Sequence, residues 1–409
     1  MTAIAEKPLS PLVDSVTRNG FCTGCGLCES IAPMGSIQMR MSTEGYLRPV
    51  VLKELPTEAT QHIAAACPGV KVEHLPGTQG QHPIWGPIVS VQTGHAMDPE
   101  VRRQGSSGGV ISALAIHLLE SGQVDFVAQI AVDPKDALRN ALQISTSRAD
   151  VLPAAGSRYA PSAPLQGLRE LLDTGKRFAF IGKPCDVAAL RQYGEQNPTV
   201  KRQIPFMLSF MCAGVPSIKG THEVITALGA TREKVVSFRY RGDGWPGMAR
   251  AVHDSGESFE MDYNTSWGQI LGKYLQFRCK ICPDGTGEFA DIVCADAWYG
   301  QDGYPDFTER DGRSLVLART PNGQKLLSQT VNQSIITSPL DIKEIRKMQP
   351  YQDLRKKLVS GRSLAVYIAL GETPKYINLG LWKSTAKINP IIWLRNAWGT
   401  YKRIKPEVQ

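Results

Sequence analysis

The chain has 409 residues, 42% hydrophobic and 21% charged, with 38 Gly and 27 Pro, which is the profile of an ordinary globular protein and excludes bulk disorder and collagen-like repeats. Its length predicts two or three domains with ample core. The formal charge is +8, but residues 343–409 carry 14 Lys and Arg against 4 Asp and Glu, leaving 32 against 34 in the first 342 residues. The basic character therefore belongs to a tail, which argues against a nucleic-acid-binding body.

The N-terminus, Met1 to Arg18, contains Glu6 and Asp14 and has no apolar run of the kind a secretory signal needs, so a cytoplasmic location is expected. No uncharged apolar stretch approaches the roughly 18 residues of a membrane span. Residues 1–82 are rich in cysteine and end in a Pro/Gly linker at 74–83, as a small appended module would. Residues 83–342 are expected to form the main domain, and from about Val91 to Tyr240 the pattern alternates between helical and extended stretches. Val110–Glu120 reads as helix, Val124–Val132 as strand, Pro164–Thr174 as helix, Phe178–Ile181 as strand, Asp186–Tyr193 as helix and Ile204–Met211 as strand. Such alternation predicts an α/β layer with a partly parallel sheet. Val235–Tyr240, Met248–His253 and Ser258–Tyr263 follow as an antiparallel meander. Residues 343–409 form a basic, helical C-terminal segment.

Nine cysteines stand at 22, 25, 28, 67, 185, 212, 279, 282 and 294. In a reducing compartment such clusters read as metal or redox sites rather than disulfides. Cys22, Cys25 and Cys28 form C-x2-C-x2-C, the run that wraps an iron–sulfur cube, and it is too tight for the separated ligand pairs of zinc. A two-cluster ferredoxin would place its next cysteine before Pro33, but Ala32 stands there. Cys67-Pro68 then supplies the fourth ligand, giving one 4Fe-4S cluster on Cys22, Cys25, Cys28 and Cys67. Cys279 and Cys282 form one further C-x2-C pair, a spacing shared by zinc knuckles and redox dithiols. Cys185, Cys212 and Cys294 are candidates to complete it. Cys185 and Cys212 each follow a buried strand, where an α/β sheet gathers ligands, although each isolated cysteine reads equally as a buried structural thiol. Gln104-Gly105-Ser106-Ser107-Gly108-Gly109 leads directly into the helix at Val110. Its glycines, hydroxyls and helix N-terminus, behind Arg102 and Arg103, suit a phosphate or pyrophosphate, and a plain capped junction suits it as well.

Together these stretches, with Arg158–Ser162, Gly182–Leu190, Phe210–Ser217, Arg241–Gly247 and Cys279–Trp298, resemble the iron–sulfur flavoproteins of the deazaflavin (coenzyme F-420) hydrogenase and dehydrogenase beta subunit family. That family includes 7-hydroxymethyl chlorophyll and ferredoxin-dependent divinyl chlorophyllide reductases. The resemblance covers most of residues 90–300 in order. It implies a mixed-sheet flavin-binding catalytic domain with one FAD held by residues 104–109, and a second 4Fe-4S cluster on Cys185, Cys212, Cys279 and Cys282, with Cys294 spare. It further implies electron exchange with ferredoxin or a similar carrier, and hydride exchange between FAD and an organic substrate or deazaflavin. Tyr159, Asp243 and Asp296 lie in matching stretches and are candidate proton donors, each weighed against a plain turn or hydrogen-bonding role. The rival reading is an electron-transfer subunit without its own substrate; a homo-oligomer is compatible with either.

In the tail, Ile391, Leu394, Trp398 and Tyr401 fall near one helical face. Packing of that face on the protein's own domain is the expectation, with docking on an anionic inner-membrane surface or an acidic carrier as the alternative.

Overall fold

Runs rich in β-branched and aromatic residues, bounded by Gly, Pro and polar turns, become the strands of one mixed sheet. In the computed structural model, which describes residues 9–76, 78, 81–301 and 304–407, these are β1 (Ser90–Ala96), β2 (Phe126–Asp133), β3 (Asp136–Ser145), β4 (Phe178–Gly182), β5 (Phe206–Phe210), β6 (Ile292–Asp296), β7 (Ser314–Ala318) and β8 (Ile335–Pro339). Their order across the sheet is β8-β1-β7-β6-β5-β4-β2-β3. The centre, β2-β4-β5-β6, is parallel, and the remaining neighbours are antiparallel. All five residues of β4, Phe-Ala-Phe-Ile-Gly, are buried, as expected of a strand covered on both faces. The α/β class with a mixed sheet is therefore as the residue pattern indicates. The meander also forms, over Val235–Arg239, Ala249–His253 and Ser258–Met261.

One element differs from its sequence pattern. Helix is confined to Leu168–Asp173 rather than starting at Pro164. The Leu165 N–H donates to the Cys25 carbonyl at 2.9 Å, and its own carbonyl accepts from the Ser30 hydroxyl at 2.7 Å. Those bonds tie 163–167 to the N-terminal module in a turn.

Residues 9–73 form a small unit of helices Pro11–Arg18, Leu27–Ile31 and Thr57–Ala66 with a hairpin, Ile37–Met41 with Leu47–Val51. Its last strand, Lys71–Glu73, pairs in parallel with Lys375–Ile377 from the C-terminal segment. That segment also supplies helix Pro350–Leu370, whose Arg355, Lys356 and Lys357 are buried. Three of the segment's fourteen basic residues thus lie inside the protein.

The apolar stripe of the last helix, Pro390–Glu407, corrects the sequence expectation that this face packs inward. Ile391, Leu394 and Trp398 are exposed, while Thr400 and Ile404 are buried. The inward contacts are made by Trp393, against Gly361, and by Ile404, which joins Val366. Backbone geometry gave this choice to the face with the better fit: Gly361 leaves room for an indole that no side chain there would admit. Among the described residues, no helix is long and apolar enough to cross a membrane.

Candidate functional site

Cys22, Cys25, Cys28 and Cys67 line one pocket, walled by apolar Val13, Val16, Ile31 and Ile63. Gly24 and Gly26 have φ of +78° and +85°, which lets the chain turn tightly enough to aim three cysteines at one volume. An added Cβ on Gly26 would meet the Gln166 backbone nitrogen at 2.8 Å. Burial, followed by Asp186 and Cys67, pushes the Cys25 thiol up to about 12. Burial raises Cys67 to about 11 and holds Cys28 well above its ordinary value. The Gly24 N–H donates to Cys22 Sγ at 3.4 Å.

The second group gathers at the C-terminal ends of β4 and β5. Cys185 opens helix Pro184–Gly194 immediately after β4, Cys212 follows β5, and Cys279 and Cys282 come from the short helix Phe277–Lys280 and its exit. The four are electrostatic neighbours. Burial, then Asp186, raises Cys185, with Cys212 and Cys282 adding to it; burial, then Cys279, raises Cys212 to about 12. Backbone Val215 N–H donates to Cys279 Sγ at 3.3 Å. Cys294 stands apart. It lies on β6 in the core beside helix Val110–Glu120, and burial alone raises its thiol to about 12.

Segment 276–281 joins the two groups. Gln276 Nε2 donates to the Thr23 carbonyl at 3.3 Å and to Cys279 Sγ at 3.5 Å. Arg278 donates to the Pro68 carbonyl at 3.0 Å, next to Cys67. Ile281 packs with Phe21, Cys22 and Cys67.

Among the described residues, no three His, Cys, Asp or Glu side chains are grouped as ligands of a single metal ion. A cube binds each thiolate at a separate corner iron, so it does not require such a group. A cluster with four thiolates is anionic, and the second group is surrounded by cations accordingly. Arg278 Nε and Nη1 and Arg355 Nε are buried without a hydrogen-bond partner. Against burial, which lowers it, Arg355 is held above its ordinary value by Cys282, Tyr351, Cys279 and Cys212. Buried guanidinium N–H groups left without a partner are costly unless an anion faces them. The donor set and its surroundings therefore fit iron–sulfur clusters.

The glycine turn is built onto the ends of β6 and β7. Ser107 Oγ donates to the Ala295 and Arg313 carbonyls at 3.2 and 3.1 Å, and Ser314 Oγ accepts from the Gly108 N–H at 2.9 Å. Ser106 shares a 2.7 Å hydrogen bond with Ser157. Gln104 and Gly105 close the preceding helix, and Gly109, φ +73°, starts the next. The Ser107 hydroxyl is thus occupied by the fold. The cations that grip the turn are not Arg102 and Arg103 but Arg239, on the Gln104 carbonyl at 2.9 Å, and Arg241, on the Ser106 carbonyl at 2.6 Å.

Arg241 is 2% exposed and organises the surrounding pocket. It donates to both Asp296 oxygens, at 2.8 and 3.0 Å, to Tyr159 Oη at 3.3 Å and to the Pro246 carbonyl at 3.0 Å. Its guanidinium lies over the rings of Tyr263 and Trp298, 4.5 and 5.3 Å from their centroids. Trp245 Nε1 also donates to Asp296, at 2.7 Å, and its ring stacks on Trp298. Burial pulls Arg241 down, yet Asp296, then Tyr159 and Tyr263, hold it well above the ordinary value. The structure therefore brings Tyr159 and Asp296 together beside residues 104–109. Asp243 does not join them but sits at the outer side of the same turn, next to Arg239. It faces outward at φ 57° and pairs with Arg239 and Arg250 at 3.5 and 3.2 Å. The sequence pattern singled out neither Arg241 nor Gln276, Arg278 and Arg355, since a lone Arg or Gln carries no spacing signal until the fold surrounds it.

The family model described as Coenzyme F420 hydrogenase/dehydrogenase, beta subunit N-term matches residues 91–169, and its companion for the carboxy-terminal part of the same protein matches residues 175–347. Coenzyme F420 hydrogenase subunit beta of Methanococcus voltae is 26% identical over 268 residues, which cover 64% of this chain and 87% of that protein. Coenzyme F420-dependent sulfite reductase of Methanocaldococcus jannaschii is 24% identical over 392 residues, 92% of this chain and 55% of that protein, so the chain spans about half of that relative. 7-Hydroxymethyl chlorophyll a reductase of Oryza sativa subsp. japonica is 24% identical over 221 residues, 54% of this chain and 45% of that protein. A chain of the F420-reducing [NiFe] hydrogenase complex from Methanosarcina barkeri superimposes with a TM-score of 0.55 at 21% identity, over 72% of this chain and 98% of that one; this is a likeness of fold.

Proposed function

This chain belongs to the coenzyme F420 hydrogenase/dehydrogenase beta subunit family, and on that footing we propose that it is an iron–sulfur flavoprotein oxidoreductase. It passes electrons between a ferredoxin-like carrier and an organic substrate or deazaflavin. Cys22, Cys25, Cys28 and Cys67 would hold one 4Fe-4S cluster, Cys185, Cys212, Cys279 and Cys282 the other, and residues 104–109 would hold FAD. The observation that carries this reading is the junction at Gln276, whose amide bonds to Thr23 beside the first cysteine group and to Cys279 in the second. When bound, a flavin supplies the exchange between hydride and single electrons, and the clusters carry single electrons.

The chain's own residues have three tasks. Arg278 and Arg355 offset cluster charge in a buried site. The apolar wall around the first group excludes water. Arg241 fixes Tyr159 and Asp296, and this placement beside residues 104–109 supports Tyr159 as the group that holds a proton near the substrate. Asp296, already accepting three hydrogen bonds, orients Arg241. Relatives named as hydrogenase and dehydrogenase subunits favour a protein partner in addition to the carrier.

Anaerobic purification tests the reading. A flavin band with broad absorbance near about 400 nm, bleached by dithionite, is expected, with about eight irons per chain. A colourless, zinc-containing protein refutes it. Assay with reduced ferredoxin against deazaflavin, tetrapyrrole and unsaturated sugar candidates then identifies the substrate class.

A further inference from the structure

The helix Pro390–Glu407 packs on helix Pro350–Leu370 through one face only. Trp393 Nε1 donates to Ser360 at 2.9 Å, Asn396 accepts from Arg362 at 3.2 Å, and Ile404 is buried with Val366. On the opposite face Ile391, Leu394, Arg395, Trp398 and Lys402 recur at intervals of three and four, so they form one stripe. Ile391 is 65% and Trp398 59% exposed, and Trp382, on the preceding helix Leu381–Thr385, is 77% exposed. Between Leu381 and Ile404 stand Lys383, Lys387, Arg395, Lys402 and Arg403, all exposed, and no Asp or Glu.

A run of exposed Ile, Leu and Trp on a globular protein marks a surface that something covers. We propose that this face seats the protein on an anionic lipid surface, lying in the plane of the interface. Ile391, Leu394 and Trp398 enter the headgroup–acyl boundary, and the flanking cations meet the lipid phosphates. The combination favours lipid over an acidic electron carrier. A carrier satisfies the cations but leaves branched aliphatic side chains against a polar surface, whereas a bilayer receives both. Lys402 Nζ lies 5.2 Å from the Trp398 ring centroid and Tyr401 stacks on the same ring, so aromatic groups and a cation are presented together, as at membrane interfaces.

The test uses the full chain with its cofactors and vesicles of phosphatidylcholine, with and without one-third phosphatidylglycerol. The protein is expected to sediment with the anionic vesicles and to be released by high salt. Leu394→Asp with Trp398→Asp, and separately Lys402→Glu with Arg403→Glu, should each weaken binding by at least about tenfold. All four positions are exposed, so unchanged thermal melting and absorbance spectra show that the fold and cofactors are intact. A full chain that stays in the supernatant with anionic vesicles at low salt overturns the proposal, as does sedimentation of the paired apolar variant equal to the wild type. Salt-sensitive binding to ferredoxin through the same residues, without vesicle binding, assigns the face to a carrier and also overturns it.

Discussion

Asp296→Asn removes a charge from the pocket at almost constant shape. The variant leaves Arg241, 2% exposed, facing a neutral amide where it had a bidentate carboxylate at 2.8 and 3.0 Å. An amide oxygen replaces only one of the two acceptors, and the indole N–H of Trp245 then competes for it. Breaking a buried pair by removing one partner costs about 3–5 kcal/mol, because the surviving charge is desolvated without compensation. For a protein of this size, at about 2.1 cal/mol/K of unfolding entropy per residue, that is a fall of about 3–6 °C in Tm. Urea unfolding of cofactor-free protein measures it directly. Arg241→Met combined with Asp296→Asn removes both charges, so the double variant should be less destabilised than the sum of the singles by about 1 kcal/mol or more. A loss below about 1 kcal/mol for Asp296→Asn, or strict additivity in the cycle, would refute the view that this pair anchors the pocket.

Other outcomes follow from the same geometry. Cys67→Ser should lower iron from about eight to about four per chain, while Cys294→Ser leaves it unchanged, as read by iron analysis and absorbance. Gln276→Leu removes a donor to Cys279 Sγ and should lower the potential of the second cluster by on the order of 50 mV in a redox titration; an unchanged potential counts against the junction. The Cys294 thiol, raised from 9.0 to about 12 by burial, stays protonated where an unfolded chain would ionise. Its contribution to stability is therefore complete below pH 9.0 and lost as pH climbs towards about 12. Native protein should resist alkylation of Cys294 at pH 9, and labelling there at the rate of denatured protein would contradict this. Gly109→Ala places a Cβ 2.5 Å from the Val101 carbonyl oxygen at φ +73°; a strain of about 1–2 kcal/mol or more should loosen the turn and reduce flavin content.

Much of the molecule is settled by local pattern. The C-x2-C-x2-C run, the all-apolar strand Phe178–Gly182, the Gly-rich junction before Val110 and the Asp254-Ser255-Gly256 turn between meander strands act through spacing and backbone freedom, which are properties of the chain itself. They were sufficient for the α/β class and for recognising two cysteine groups. Residue spacing left open which isolated cysteines meet, and the family resemblance named Cys185 and Cys212; the tertiary structure supplies the physical reason, parallel β4 and β5 ending side by side. Tertiary structure alone decided which cations serve the site. Arg241, Arg278 and Arg355 come from distant segments, and their significance lies in burial that no window of sequence displays. The tail gives the sharpest contrast. Its helical period and charge were written in the chain, but which of two apolar faces turned inward depended on Gly361 leaving space for Trp393. The basic surplus likewise divided between the interior and the surface only when Arg355 and Lys356 packed over the second cysteine group and its loop and Lys357 was buried against Asp353.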